Sequence, residues 1–193
     1  MKRNLLISVW MTIATTALFG LIYPLVVTGL AQWIFPRQAN GELIRLGGAQ
    51  VGSSLIGQPF SSPGYFHSRP SAAGAAGYDA DASAGGASNL GPTNSALISR
   101  VKTDVEHAQA ENPGVAIPAD MVTTSASGLD PHISPANAEF QVPRVAKERG
   151  MNATSVRALV EKHTEGRQLG FLGEPRVNVL ELNLELDAVH PAK

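Results

Sequence analysis

The sequence predicts a single N-terminal transmembrane helix followed by a small mixed α+β (or α/β) extracytoplasmic domain, and three observations carry that reading. No residue from Asn4 to Pro36 is charged. Beyond Arg37, several stretches repeat apolar residues at helical spacing, and short β-favouring runs lie between them. The expected bounds are a cytoplasmic N-terminus at residues 1–4, a membrane helix at 5–35 and the exported domain at 36–193.

The uncharged run is far longer than the roughly 7 to 15 apolar residues of a signal-peptide core, so it is expected to stay as an anchor. As a helix, the stretch from Trp10 to Trp33 spans about 34 Å, close to the thickness of a hydrocarbon layer, with the two indoles at its interfaces. Lys2 and Arg3 favour an N-terminus in the cytoplasm; Arg37 and Arg45 weaken that asymmetry. Reading every fourth position gives Ser8, Thr12, Thr16, Gly20, Pro24 and Thr28. This stripe of small residues would let neighbouring helices approach closely, and Thr12, Thr16, Gly20, Pro24 and Thr28 are the expected docking positions.

After the span, Leu43 to Leu46 forms a short apolar stretch and Val51 to Ile56 reads as a strand. From Gln58 to Asn94 the chain is rich in Gly, Ala, Ser and Pro. It nevertheless carries Tyr65, Phe66, Arg69, Tyr78, Asn89 and Asn94, residues capable of directed contacts, so an ordered functional loop is expected. Asn94 caps a helix from Ser95 to about Glu111 with Leu97, Ile98, Val101, Val105 and Ala108 on one face. Met121 to Thr124 favours β structure. Ser134-Pro135 opens a helix in which Pro143 predicts a kink or a break, and Gly150 ends it. Asn152 caps a helix from Ala153 to about His163 that presents Val156, Leu159 and Val160 on one side. In the last segment, alternating leucines fit a strand, while Val179, Leu182, Leu186 and Val189 fit a helix capped by Asn178. A short strand followed by a helix reconciles the two.

Composition excludes several chemistries. The chain has 193 residues and no cysteine, which removes disulfides, thiolate nucleophiles and cysteine-ligated zinc. Its 15 Lys and Arg, less Lys2 and Arg3, face 16 acids in the rest of the chain, so nucleic acid is not an expected partner. Gly-Lys never occurs, which excludes a phosphate-cradling P-loop. Ser99 and Lys102 match Ser-x-x-Lys spacing, but the accompanying Lys-Thr-Gly is absent and both lie off the apolar stripe. His67, His107, His132, His163 and His190 are far apart, and none pairs with another at metal-ligand spacing. Ser125, Ser127, Asp130 and His132 supply the residue types of a hydrolase without a nucleophile elbow; a turn with local hydroxyl and carboxylate hydrogen bonds is the simpler expectation. Two rival readings follow from these residues: a membrane-anchored hydrolase using that cluster, and a binding or signalling ectodomain using Tyr65, Phe66 and Tyr78.

Specific motifs run the length of the chain: Tyr23-Pro24, Val27-Thr28-Gly29, Phe35-Pro36-Arg37-Gln38-Ala39-Asn40-Gly41, Gly52-Ser53-Ser54-Leu55-Ile56-Gly57-Gln58, Phe66-His67-Ser68-Arg69-Pro70, Asn89-Leu90-Gly91-Pro92-Thr93-Asn94, Ser127-Gly128-Leu129-Asp130-Pro131-His132 and Gly170-Phe171-Leu172-Gly173-Glu174-Pro175-Arg176. Together they resemble the C-subunit family of the Kdp potassium-transporting P-type ATPase; only the loop around Ala84 and Ala87 departs from the family pattern. The resemblance implies a non-catalytic accessory subunit of a bacterial inner-membrane complex. Its partners would be a channel-like subunit and a P-type ATPase subunit, and ATP, K+ and Mg would belong to the complex rather than to this chain. It further implies a catalytic chaperone that raises the ATP affinity of the pump subunit. The residues agree, since neither an Asp-Lys-Thr-Gly phosphorylation motif nor a Thr-Val-Gly-Tyr-Gly filter occurs here. Arg69, Asn89, Asn94, Asp130 and His132, on the two Gly- or Pro-rich loops, are the expected partner contacts.

Overall fold

The computed structural model describes residues 2–74 and 86–191; Tyr78 and Ala84 lie outside them. The chain divides into two units, Met1–Leu43 and Ile44–Lys193.

The first unit is helical from Lys2 to Ile34, 33 residues long and apolar enough to cross a membrane. None of its residues is buried. It is not uniformly α: α1 (Lys2–Thr15) and α2 (Tyr23–Ile34) are joined by a π-helical stretch, Thr16–Ile22. Pro24 accounts for this change. It has no N–H to give the carbonyl of Gly20, and its ring crowds that carbonyl in an α-helix. Widening the preceding turns relieves the clash, and the Tyr23 N–H reaches back to the Leu18 carbonyl, five residues away. Hydroxyls within α1 are satisfied by the helix itself: Ser8 donates to the Leu5 carbonyl at 2.8 Å and Thr12 to the Ser8 carbonyl at 2.9 Å. A single turn, α3 (Pro36–Ala39), follows.

The strands β1 (Leu43–Leu46), whose first residue closes the first unit, and β2 (Ala49–Ser53) pair with each other. Gly47 and Gly48 between them both take positive φ, as a type I′ turn requires. The strand expected at Val51 to Ile56 thus starts and ends earlier. Ser53 stops it, because its hydroxyl accepts from the Leu55 N–H and its carbonyl from the Ile56 N–H.

The core is built by α5 (Pro135–Arg149), α6 (Ala153–Lys162) and α7 (Val179–Val189) against a three-stranded sheet. The sheet has the order β3 (His132–Ile133), β5 (Arg176–Asn178), β4 (Thr164–Glu165), antiparallel throughout, with Ile133 and Thr164 both opposite Val177. Val142, Val145, Val156, Val177, Leu182 and Leu186 are fully buried there, and Phe66 joins them from the long loop. Each core helix starts on a side-chain cap: Ser134, Asn152 and Asn178 accept from the N–H groups of Asn137, Thr154 and Glu181. Gly150, in the left-handed conformation, ends α5.

Three expectations about this unit need correction. Of the kink or break expected at Pro143, the break is excluded, because α5 runs unbroken from Pro135 to Arg149; Pro143 is exposed, and the buried residues on either side of it hold the helix together. Met121 to Thr124 is not a strand. Residues Ala119–Met121 form a 3₁₀ turn, and the Ala119 carbonyl collects the N–H groups of Val122 and Thr123 and the Thr123 hydroxyl. In α4 (Ser95–Glu111) only Ala108 is buried, and Ile98, assigned to its apolar face, is 56% exposed.

Candidate functional site

The loop following β2 has almost no strand partners, so its backbone groups are satisfied by side chains reaching from the core helices. Asn183 on α7 brackets the Phe66 peptide: its Oδ1 accepts from the Phe66 N–H and its Nδ2 donates to the Phe66 carbonyl, both at 2.9 Å. Gln141 on α5 does the same for the next residue, accepting from the His67 N–H at 2.8 Å and donating to the His67 carbonyl at 3.1 Å. Both amides are buried. They present to the loop the donor–acceptor pair that a neighbouring strand would offer. Arg144 donates to the Tyr65 carbonyl at 2.8 Å. Arg149, whose side chain is 1% exposed, donates to the Gly64 carbonyl and pairs with Asp187 at 2.9 Å beneath the Tyr65 ring. Tyr65 in turn donates to Asp187; burial and this carboxylate raise the phenol's pKa.

The loop therefore delivers Arg69 to a fixed place. Its Nη1 donates to Asp130 Oδ2 at 3.1 Å, and Asp130 Oδ1 accepts the His132 N–H at 3.0 Å, with the His132 ring 3.6 Å away. Burial acts to raise the Asp130 pKa, but the hydrogen bonds from His132 and Arg69 outweigh it and hold the carboxyl below its usual range. Arg69 also reaches the Thr123 and Thr124 carbonyls at 3.4 Å, while its Nε is buried without a hydrogen-bond partner. Two glycines permit this approach of loops. A Cβ on Gly57 would stand 2.6 Å from the Asp130 carbonyl oxygen. Gly128, at φ 72°, would put one 2.8 Å from Ala73 Cβ. Beside the ion pair lies an open groove of about 600 Å³, walled by Leu55, Ile56, Ser127 and Leu129.

Of the five expected partner contacts, Arg69, Asp130 and His132 come together here. Asn94 serves as the cap of α4, accepting from the Ala96 N–H at 2.8 Å, and Asn89 is exposed with φ 52°. Ser125 and Ser127 hydrogen-bond each other at 3.1 Å and accept from the Gly128 and Leu129 N–H groups. They close a turn, and among the described residues no hydrogen bond joins either to His132. Also among the described residues, no three His, Asp or Glu side chains gather as metal ligands. The bracketing role of Gln141 and Asn183 escaped the sequence reading. Its one signal is an amide set among apolar residues at helical spacing, Gln141 beside Val142 and Val145, and Asn183 beside Leu182 and Leu186.

The chain thus joins an N-terminal helix long and apolar enough to cross a membrane to a small mixed helix and sheet domain. The chain belongs to the KdpC family, the c chain of the K+-transporting ATPase, whose family model matches residues 5–188. A potassium-transporting ATPase KdpC subunit of Koribacter versatilis is 64% identical over 191 residues, covering 99% of this chain and 97% of that protein. Those of Caulobacter vibrioides (63%, 91% of this chain and 88% of the relative) and Rhodopseudomonas palustris (55%, 97% and 99%) are similar along the same span.

Proposed function

We propose that this chain is a non-catalytic accessory subunit of an ATP-driven potassium uptake complex, assembling with and steadying a channel-like subunit and a P-type ATPase subunit. It sits in the bacterial inner membrane with residues 1–4 in the cytoplasm, residues 5–35 in the bilayer and the remainder outside. The observation that carries this reading is the near full-length similarity to KdpC subunits, together with an apolar helix of 33 residues. A domain outside the membrane cannot reach cytoplasmic nucleotide. Any rise in the pump's ATP affinity is therefore transmitted through the span, by favouring one conformation of the transport subunits. Thr12, Thr16, Gly20, Pro24 and Thr28 give the span its docking face, and Arg69, Asp130 and His132 beside the open groove meet the partners above it.

The test uses Gly20. A Cβ there meets only Thr16 Cγ2, at 3.8 Å, so the chain itself does not resist substitution. In a Gly20→Leu, Thr16→Leu variant the protein should remain in the membrane while its recovery with the transport subunits falls about tenfold. Undiminished co-purification would reject the docking face.

A further inference from the structure

A second cavity, separate from the Arg69 groove, lies between the long loop, α4, the 3₁₀ turn and α5. It holds about 400 Å³, within the range of small-molecule sites. Phe60, Met121 and Ala108 supply an apolar wall, and the charged residues lining it are Asp104 and Glu111, two turns apart on α4. His107 lies between them on the same helix, and each carboxylate is also ion-paired to an arginine behind the lining, Asp104 to Arg100 and Glu111 to Arg144, both at 2.9 Å.

Hydrogen-bond capacity points the same way. The Gln141 amide gives its hydrogens to the His67 carbonyl and to Asn137 Oδ1, Asn137 Nδ2 donates to Asp120, and the Ser68 hydroxyl donates to the Gln58 carbonyl. The His67 ring faces the Ser62 carbonyl through Nε2, which therefore holds the proton and leaves Nδ1 as an acceptor. Burial, helped by the Arg144 charge, lowers the His67 pKa. The cavity thus has two carboxylates on one wall, an apolar surface on the other, and Gln141 and Ser68 donors that are already engaged.

We propose that this cavity binds an organic cation, an alkylammonium or guanidinium group on an apolar stem, with the charge toward Asp104 and Glu111 and the stem against Phe60 and Met121. Such a group comes either from a free amine or from a Lys or Arg side chain of a partner subunit.

The full chain in detergent micelles, carrying ¹³C-methyl methionine, provides the test. Agmatine should shift the Met121 methyl resonance saturably and leave Met151, packed against the core, unmoved. Its affinity should exceed that of n-butanol about tenfold, and Asp104→Asn or Glu111→Gln should weaken it about fivefold. An unchanged Met151 resonance certifies that each variant is folded; if neither folds, the comparison of amine with alcohol on the unaltered chain decides alone. Equal response to agmatine and butanol, or none at Met121, overturns the proposal. Repeating the titration on the assembled complex separates the sources: a persisting Met121 response assigns the site to a free amine, and a response abolished by assembly assigns it to a partner's cationic side chain.

Discussion

At the scale of single residues, the long loop depends on a few side chains that substitute for a missing strand. Removing the Asn183 amide leaves the Phe66 N–H and carbonyl buried without partners, and each such group costs about 1–3 kcal/mol. Asn183→Ala should therefore lower unfolding stability by about 3 kcal/mol in urea titration, whereas exposed Asn89→Ala should change it by less than about 0.5 kcal/mol. His67 makes stability depend on pH. Its folded pKa lies below the usual 6.5, so in mild acid the unfolded chain binds a proton that the folded chain refuses. The stabilisation is complete above that value and is lost as pH falls through and below it. The unfolding midpoint should thus drop as the pH falls below about 6.5, and His67→Gln should flatten this part of the profile. Asp130 acts in the same direction at lower pH, below the usual carboxylate value of 3.8, because its charged form is held by His132 and Arg69.

At the scale of elements, the junction of β5 with α7 is the most economical feature of the domain. Asn178 is the last residue of the strand and the cap of the helix, and its Nδ2 also donates to the Ser54 carbonyl at 2.8 Å. One buried amide thereby joins the end of the first hairpin to the sheet and to α7. Asn178→Ala loses the cap and orphans a carbonyl together, and thermal unfolding should report a loss of about 2–4 kcal/mol. Asn94→Ala removes a cap on a peripheral, exposed helix and should cost about 1 kcal/mol. The π stretch at Thr16–Ile22 is the counterpart in the first unit. Pro24 creates it, and it alters the angular step between Thr16, Gly20 and Pro24, hence which small residues share a face.

At the scale of the molecule, the unit from Ile44 onward holds its whole core within itself, with no residue of the apolar helix among the buried cluster. A fragment comprising residues 44–193 is expected to fold alone, with a single cooperative transition by circular dichroism and the same His67-dependent acid slope as the full chain. The two units differ in how they treat apolar side chains: none of the helix residues is buried, while the domain closes a dozen buried apolar residues away from solvent.

Much of this was legible from residue order. The uncharged span, the caps at Asn94, Ser134, Asn152 and Asn178, and the strand-to-helix change at Asn178 are local, set by charge, side-chain reach and periodicity within one or two turns. Family membership was legible as well, because its motifs are contiguous. Only the tertiary structure decided that Gln141 and Asn183 bracket Phe66 and His67, that Arg69 meets Asp130 across 61 residues, that Met121 faces a cavity rather than a sheet, and that Pro143 rides on the outside of an unbroken helix. Each of these depends on which groups from distant parts of the chain must satisfy one another once water is removed, and sequence spacing carries no record of that requirement.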